Sequence, residues 1–155
     1  MDLVALEQIR TLKYRYLRAL DTKLWDEFGD TFAEDATGDY GSPSGGRPLQ
    51  FTGRAAIVEF MRSSLDGNIA TVHVCTHPVI GIDGETATGT WCLEDTVIVP
   101  DFDVMIRGAA YYQDRYRIAD GQWRIAHTGY KRLYEARISL KESGFTLTSN
   151  PWANR

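Results

Sequence analysis

Apolar residues recur at three- and four-residue steps between Leu3 and Leu20, at Leu6, Ile9, Leu12, Tyr16 and Leu20, while Glu7, Arg10 and Arg18 fill the other side. That spacing gathers one buried stripe on one face of an α-helix. A second, short helix is expected to start at Asp21 or Thr22, either of which can cap it, and to carry Leu24, Trp25, Phe28 and Phe32 into the core. Residues Ala36 to Tyr40 read as a short strand. The following run, Gly41 to Pro48, is too rich in glycine and proline for a regular element and reads as a loop and a candidate lid. Thr52 is placed to cap a third helix, with Ala55, Ile57, Val58, Phe60 and Met61 on its buried side and Gly67 at its end.

From Ile69 onward the pattern changes to alternation among β-branched and aromatic residues, and Asp83-Gly84 and Asp120-Gly121 each separate two long runs. Asp-Gly between alternating runs is a hairpin signal, so four antiparallel strands are expected at about 69–82, 85–99, 104–119 and 122–135. Helices first and a meander after them predict an α+β fold, with the helices packed on one face of a strongly bent sheet.

The alternation contains two misfits. One face of the second long strand reads Ala87, Gly89, Trp91, Leu93, Asp95, Val97, Val99, and one face of the third reads Gly108, Ala110, Tyr112, Asp114, Tyr116, Ile118. An unpaired polar group on an apolar face costs about 2–7 kcal/mol, and a charged one more, unless it is paired or protonated. Asp95 is therefore a site candidate, and Asp114 either another or a structural partner of an arginine or a tyrosine hydroxyl. Asp21 poses a related problem, because an anion where the first helix runs out faces the negative end of the macrodipole. It either caps the second helix, has a partner, or takes part in chemistry.

At 155 residues the chain suits a single domain, and 43% hydrophobic with 25% charged residues is an ordinary soluble composition. A net charge of −4 with Lys and Arg scattered along the chain lacks the footprint of a nucleic-acid binder. No apolar run is long enough for a membrane span, and Met1 to Glu7 carries no signal-peptide pattern, so a cytoplasmic location is expected. Cys75 and Cys92 lack metal or redox spacing and read as reduced core residues. Of the histidines His73, His77 and His127, the first two have the spacing of a metal pair only on a helix, and here they fall on a strand beside Pro78, so no metal is expected. Nucleophile-elbow, P-loop and dinucleotide signatures are missing from the sequence. Acid-base chemistry without a cofactor remains, in which a carboxylate such as Asp21 orients an imidazole as a general base. Tyr16 reads as a core aromatic or a donor, and Tyr40 as a rim aromatic or a phenol aimed into a pocket.

The segments Leu17 to Asp26, Ala87 to Asp95, Tyr112 to Tyr116, Asp120 to Ile125 and Thr128 to Glu135 resemble the SnoaL-like branch of the nuclear transport factor 2-like superfamily. The likeness runs from about residue 8 to 137 and looks closest to the bacterial bile-acid 7α-dehydratases, with scytalone dehydratase and hexachlorocyclohexane dehydrochlorinase as more distant relatives. It implies a cone-shaped α+β barrel over 1–137, in which a strongly bent, mainly antiparallel sheet and N-terminal helices close one pocket. A C-terminal tail, 138–155, would then be available for contacts in a homotrimer. The resemblance further implies a lyase that needs neither metal nor cofactor and takes a small hydrophobic substrate such as a steroid or bile-acid derivative. By matching positions it assigns catalytic roles to Asp21, His73, Tyr16 and Asp95, with Asp95 protonated and assisting departure of hydroxide, and substrate binding to Tyr40 and Arg132. A polyketide-type cyclase or isomerase, and a non-catalytic ligand-binding module, are alternatives that the same fold allows.

Overall fold

Helix α1 spans Leu3–Asp21 in the computed structural model, which describes residues 2–41 and 49–153, and its stripe goes inward as the spacing requires. Asp2 caps it by accepting from the amide of Ala5 at 2.9 Å. Its buried face includes one residue that the apolar pattern passes over: Lys13, which lies between Ile9 and Tyr16 on the same stripe and is fully buried.

The junction after α1 differs from the expectation. The helix runs on to Asp21, Thr22 closes it through its own hydroxyl on the carbonyl of Arg18, and Lys23 takes a left-handed conformation (φ 57°). Helix α2 (Trp25–Asp30) therefore begins later than expected, with Leu24 at its N-cap in place of Asp21 or Thr22 and no side-chain cap. Leu24 is exposed, while Phe28 is buried in α2 and Phe32 opens the next element, β1 (Phe32–Asp39). The run expected as a lid, 42–48, lies outside the described residues. After β2 (Gln50–Thr52) comes α3 (Arg54–Leu65), where Gly53 at φ 91°, not Thr52, stands at the N-cap. Ile57 and Met61 form its buried side, and Ala55, expected there, is exposed.

The four long strands are β3 (Ala70–Asp83), β4 (Thr86–Val99), β5 (Val104–Ala119) and β6 (Gln122–Ser139). Asp120 and Gly121 both adopt positive φ in the second hairpin, as its Asp-Gly pair requires. In the first hairpin Asp83 pairs with Thr86, so the two turn residues are Gly84 and Glu85 and the turn lies one residue later than Asp-Gly suggested. Strand order is β2-β1-β6-β5-β4-β3, with β1 parallel to β6 and every other pair antiparallel. The α+β class and the curved, mainly antiparallel sheet are as expected, although the sheet is open, with β2 and β3 as separate edges. Beyond β6 the chain folds back on itself: Leu140 is buried and Asn150 donates to the carbonyl of Asn68 at 2.7 Å. None of the described helices is long and apolar enough to cross a membrane.

Candidate active site

One row of paired residues crosses four strands on the inner face of the sheet. His73 of β3 pairs with Asp95 of β4, Asp95 with Gly108 of β5, and Gly108 with Glu135 of β6. Side chains directly opposite in antiparallel strands share a face, so the register alone brings the expected base and the expected buried acid together. Above this row α1 and α3 close a cavity of about 330 Å³ lined by Leu20, Tyr40, Phe60, Met61, Tyr112 and Tyr130 as well as by His73, Asp95, Arg132 and Glu135. Most of its wall is apolar, and its size lies at the lower end of small-molecule sites, about 300–1,000 Å³.

Asp21 does not cap α2. Its carboxylate turns toward β3, where Oδ1 lies 2.6 Å from His73 Nδ1, Oδ2 accepts the His73 amide at 2.8 Å, and Oδ1 also accepts the Thr71 hydroxyl at 2.8 Å. Three donors from one strand answer the macrodipole that made an acid at this helix end unfavourable. An ionised carboxylate only accepts, so Nδ1 carries the imidazole proton and Nε2 keeps its lone pair for the cavity. The ring is nearly buried, at 10% side-chain exposure, which lets a neutral imidazole act away from competing water.

Asp95 is buried where strand alternation placed it, but apolar side chains are not what faces it. Both of its oxygens are taken by the Arg132 guanidinium, through Nη1 on Oδ1 and through Nη2 on Oδ2, the latter at 3.0 Å. Where an apolar environment was expected around Asp95, a guanidinium stands. Arg132 also reaches Glu135 through Nε at 3.4 Å and stacks on Tyr130, 4.8 Å from the ring centre. Burial works against the cation, but the bonds to Asp95 and the charges of Tyr130, Asp95 and Glu135 outweigh it and raise its pKa. Arg132 and Glu135 are three residues apart, which in a regular strand puts them on opposite faces. The pairing of β5 with β6 shifts between Ala109 and Ala110, inserting Leu133 as an extra residue, and this bulge turns both toward the cavity. Gly108 completes the arrangement, since a Cβ there would stand 2.5 Å from Arg132 Nη1. The absence of a side chain is what lets the guanidinium cross β5 to Asp95.

Tyr40 lines the cavity, whereas Tyr16 is fully buried behind it with its hydroxyl 3.2 Å from that of Tyr40. Burial holds both phenols, and that of Tyr112, well above the ordinary range, so all three stay protonated. His77 is exposed in a bulge of β3 at φ 51°, bonded to the adjacent Thr76 and outside the cavity. His127 bonds Thr37 at 2.7 Å, also away from the cavity. No group of three or more acids, histidines and cysteines among the described residues could hold a metal ion. Burial pushes the Cys75 thiol up to about 12, which keeps it a thiol as its core position implies.

Sequence reasoning from the residues alone missed Tyr112, Glu135, Gly108 and Lys13 as neighbours of this site. Tyr112 and Gly108 share the inward face of their strand, and Lys13 interrupts a helix stripe, so alternation and periodicity carried the signal for these three. Glu135 depends on the bulge and had no such signal.

The model of the SnoaL-like domain matches residues 1–129. Among solved structures, a type 2 hexachlorocyclohexane dehydrochlorinase is 16% identical with a TM-score of 0.77, over 88% of this chain and 90% of that one. A protein from Novosphingobium aromaticivorans provisionally named a scytalone dehydratase is 17% identical with a TM-score of 0.77, over 99% of this chain and 96% of that one. A protein of unknown function from Mycobacterium tuberculosis is 24% identical with a TM-score of 0.69, over 83% and 72% respectively. These likenesses show a shared fold, and the match of the domain model over most of the sequence shows that this chain belongs to the SnoaL-like domain family.

Proposed function

We propose that the protein is a cofactor-independent lyase that eliminates water from a hydroxylated, carbonyl-activated, largely apolar ring substrate, of which a steroid or bile-acid derivative is the polycyclic candidate. The observation that carries this reading is the Asp21–His73 pair at the wall of an apolar cavity, with the proton on Nδ1 and Nε2 left for substrate. His73 Nε2 removes the proton acidified by the carbonyl, and Asp21 stabilises the imidazolium that forms. Tyr40, backed by the hydroxyl of Tyr16, donates to the enolate oxygen. As the enolate collapses to a carbon–carbon double bond, the carbon–oxygen bond to the leaving hydroxyl breaks. The imidazolium returns its proton to that oxygen, so one water leaves and His73 is neutral again. Arg132 has five N–H groups and gives two to Asp95, while Nε faces Glu135 at 3.4 Å without bonding it, which leaves one N–H on each Nη for the departing oxygen. In this reading Asp95 fixes Arg132 and is not itself the acid. Assembly as a homotrimer belongs to the same proposal, and sedimentation equilibrium checks it.

Incubation with 7-hydroxy-3-oxo-4-ene steroids, free and as thioesters, should produce the absorbance of the conjugated diene. No diene from any of them removes the steroid version. A second reading, ring closure or isomerisation of a polyketide-like substrate, is favoured by the full engagement of Asp95 with Arg132, because that chemistry needs the base and the phenols but no leaving group. Asp95→Asn separates the two, as isomerisation should survive it better than dehydration. If His73→Ala leaves ligand binding and every cellular phenotype intact, a non-catalytic carrier is the better description.

A further inference from the structure

Behind the tyrosines lies a charged group that the elimination above does not use. Lys13 of α1 and Asp114 of β5 form an ion pair at 2.8 Å with no side-chain exposure on either residue. Asp114 is fully occupied: Oδ2 also accepts the Tyr116 hydroxyl at 2.7 Å and Oδ1 accepts the Thr128 hydroxyl at 2.8 Å. Trp91 Nε1 in turn donates to Tyr116 at 2.9 Å. On its other side the Lys13 ammonium faces rings, with Nζ 3.4 Å from the centre of Tyr112 and 4.5 Å from that of Tyr16. The pair is thus a fixed dipole whose positive end is directed at the phenol cluster and whose negative end is tied into the sheet.

The protons of that cluster can be counted. Tyr16 is closed off from the cavity, while Tyr40 and Tyr112 both line it, and Tyr16 interacts with each of them. Either hydroxyl of the Tyr16–Tyr40 bond can be its donor; with Tyr16 as the donor, two phenol protons remain, one on Tyr40 and one on Tyr112, and both belong to side chains on the cavity wall. We propose that Tyr112 is a second hydroxyl donor to the reacting oxygen of the substrate, paired with Tyr40, and that Lys13 beneath its ring is a positioning residue acting through it. The site then takes its ligand by an oxygen that gains negative charge, such as a ketone passing to an enolate, held between two phenols over a buried cation. This rests on the lyase reading for the reaction, but it concerns binding of an oxygen and can be tested without turnover.

The probe is 2-naphthol, whose absorbance distinguishes its neutral and ionised forms, with naphthalene as the partner that lacks the hydroxyl. Tyr112→Phe should weaken 2-naphthol about tenfold, as expected for a hydrogen bond to a group bearing charge, and leave naphthalene unchanged. Lys13→Met combined with Asp114→Asn removes both charges without leaving either alone, and should raise the pH at which bound 2-naphthol ionises while naphthalene again binds as before. With a turned-over substrate, Tyr112→Phe should lower kcat by about 100-fold and change KM little. Equal binding of 2-naphthol by the parent protein and Tyr112→Phe overturns the proposal, as does failure of the parent protein to bind it. A double variant that folds and leaves the ionisation of bound 2-naphthol in place overturns the role of Lys13, and if the double variant does not fold, Tyr112→Phe alone decides. Should no substrate be dehydrated while Tyr112→Phe still discriminates 2-naphthol from naphthalene, the lyase reading falls and the donor pair stands.

Discussion

Helix α1 holds two acid–base pairs against the sheet, eight residues apart, and they are built in opposite senses. Near its middle the helix supplies the base, Lys13, and β5 supplies the acid, Asp114; at its end the helix supplies the acid, Asp21, and β3 supplies the base, His73. Each carboxylate accepts three hydrogen-bonding donors or charges from its surroundings. Saturation of the acid therefore does not separate a structural pair from a reactive one. The difference lies in what the base has left. The Lys13 ammonium is enclosed by a carboxylate and two rings, whereas the imidazole of His73 uses one nitrogen on Asp21 and keeps the other for a cavity.

If this division holds, breaking the inner pair should cost the fold and breaking the outer pair should cost the chemistry. Asp114→Ala leaves a fully buried ammonium without its carboxylate and removes the acceptor of Tyr116 and Thr128, so a loss of about 3–5 kcal/mol is expected. Urea denaturation measures it, and a loss below about 1 kcal/mol would mean that the inner pair is not a keystone of the packing. His73→Gln keeps a polar side chain of similar reach and should leave the urea midpoint nearly in place. Turnover should instead fall about 100- to 10,000-fold, the usual contribution of a general base. A variant that unfolds as Asp114→Ala does would erase the distinction between the pairs.

The two pairs were also unequally visible in the sequence. Strand alternation identified Asp95 and Asp114 as acids facing inward, because period-two patterning is a local property that the β4 and β5 burial pattern then follows. Asp21 was visible as a problem of helix electrostatics, and the resemblance to a family supplied His73 as its partner. What could not be read were features set by register and irregularity. Lys13 left a trace as a break in the helix stripe, but a lysine on a helix is ordinarily solvated, and only the position of Asp114 across the fold makes its burial tolerable. The facing of Arg132 and Glu135 depends on a bulge at Leu133, and bulges leave no periodic trace. The start of α2 was misplaced because Asp21 and Thr22 have the chemistry of N-caps, while tertiary bonds from β3 had already claimed the carboxylate of Asp21.

A third charged pair, Asp95 with Arg132, sharpens the comparison because it lines the cavity yet is held as tightly as the inner one. Its weak point is Gly108. Gly108→Ala would place a methyl 2.5 Å from Arg132 Nη1 and 3.0 Å from the carbonyl of Tyr134. The guanidinium has to withdraw from Asp95, since the backbone carbonyl cannot, and an overpacking cost of about 1–3 kcal/mol is expected. If Arg132 assists the departing oxygen, turnover should fall further than stability does. Thermal denaturation and turnover of the same preparation measure both, and an unchanged turnover would assign the pair to structure alone.

The smallest effect concerns His127, which is partly buried, bonds a hydroxyl in place of a carboxylate and so serves as the contrast to His73. Its Nδ1 bonds the Thr37 hydroxyl. Burial, followed by the charge of Arg115, lowers its pKa from 6.5, while Asp114 and Asp39 act in the opposite direction without overcoming them. A histidine whose pKa is depressed by folding binds its proton more readily in the unfolded chain, so stability rises with pH across the interval between its two pKa values. Its contribution is complete above about 6.5, the unfolded value, and is lost as the pH falls through the lower folded value. Because the ring is only partly buried, solvent screening keeps the contribution small. His127→Gln should therefore flatten the fall in urea midpoint below the unfolded pKa and change nothing above it. A mutant whose midpoint falls as steeply as the parent's would place the acid sensitivity elsewhere in the fold.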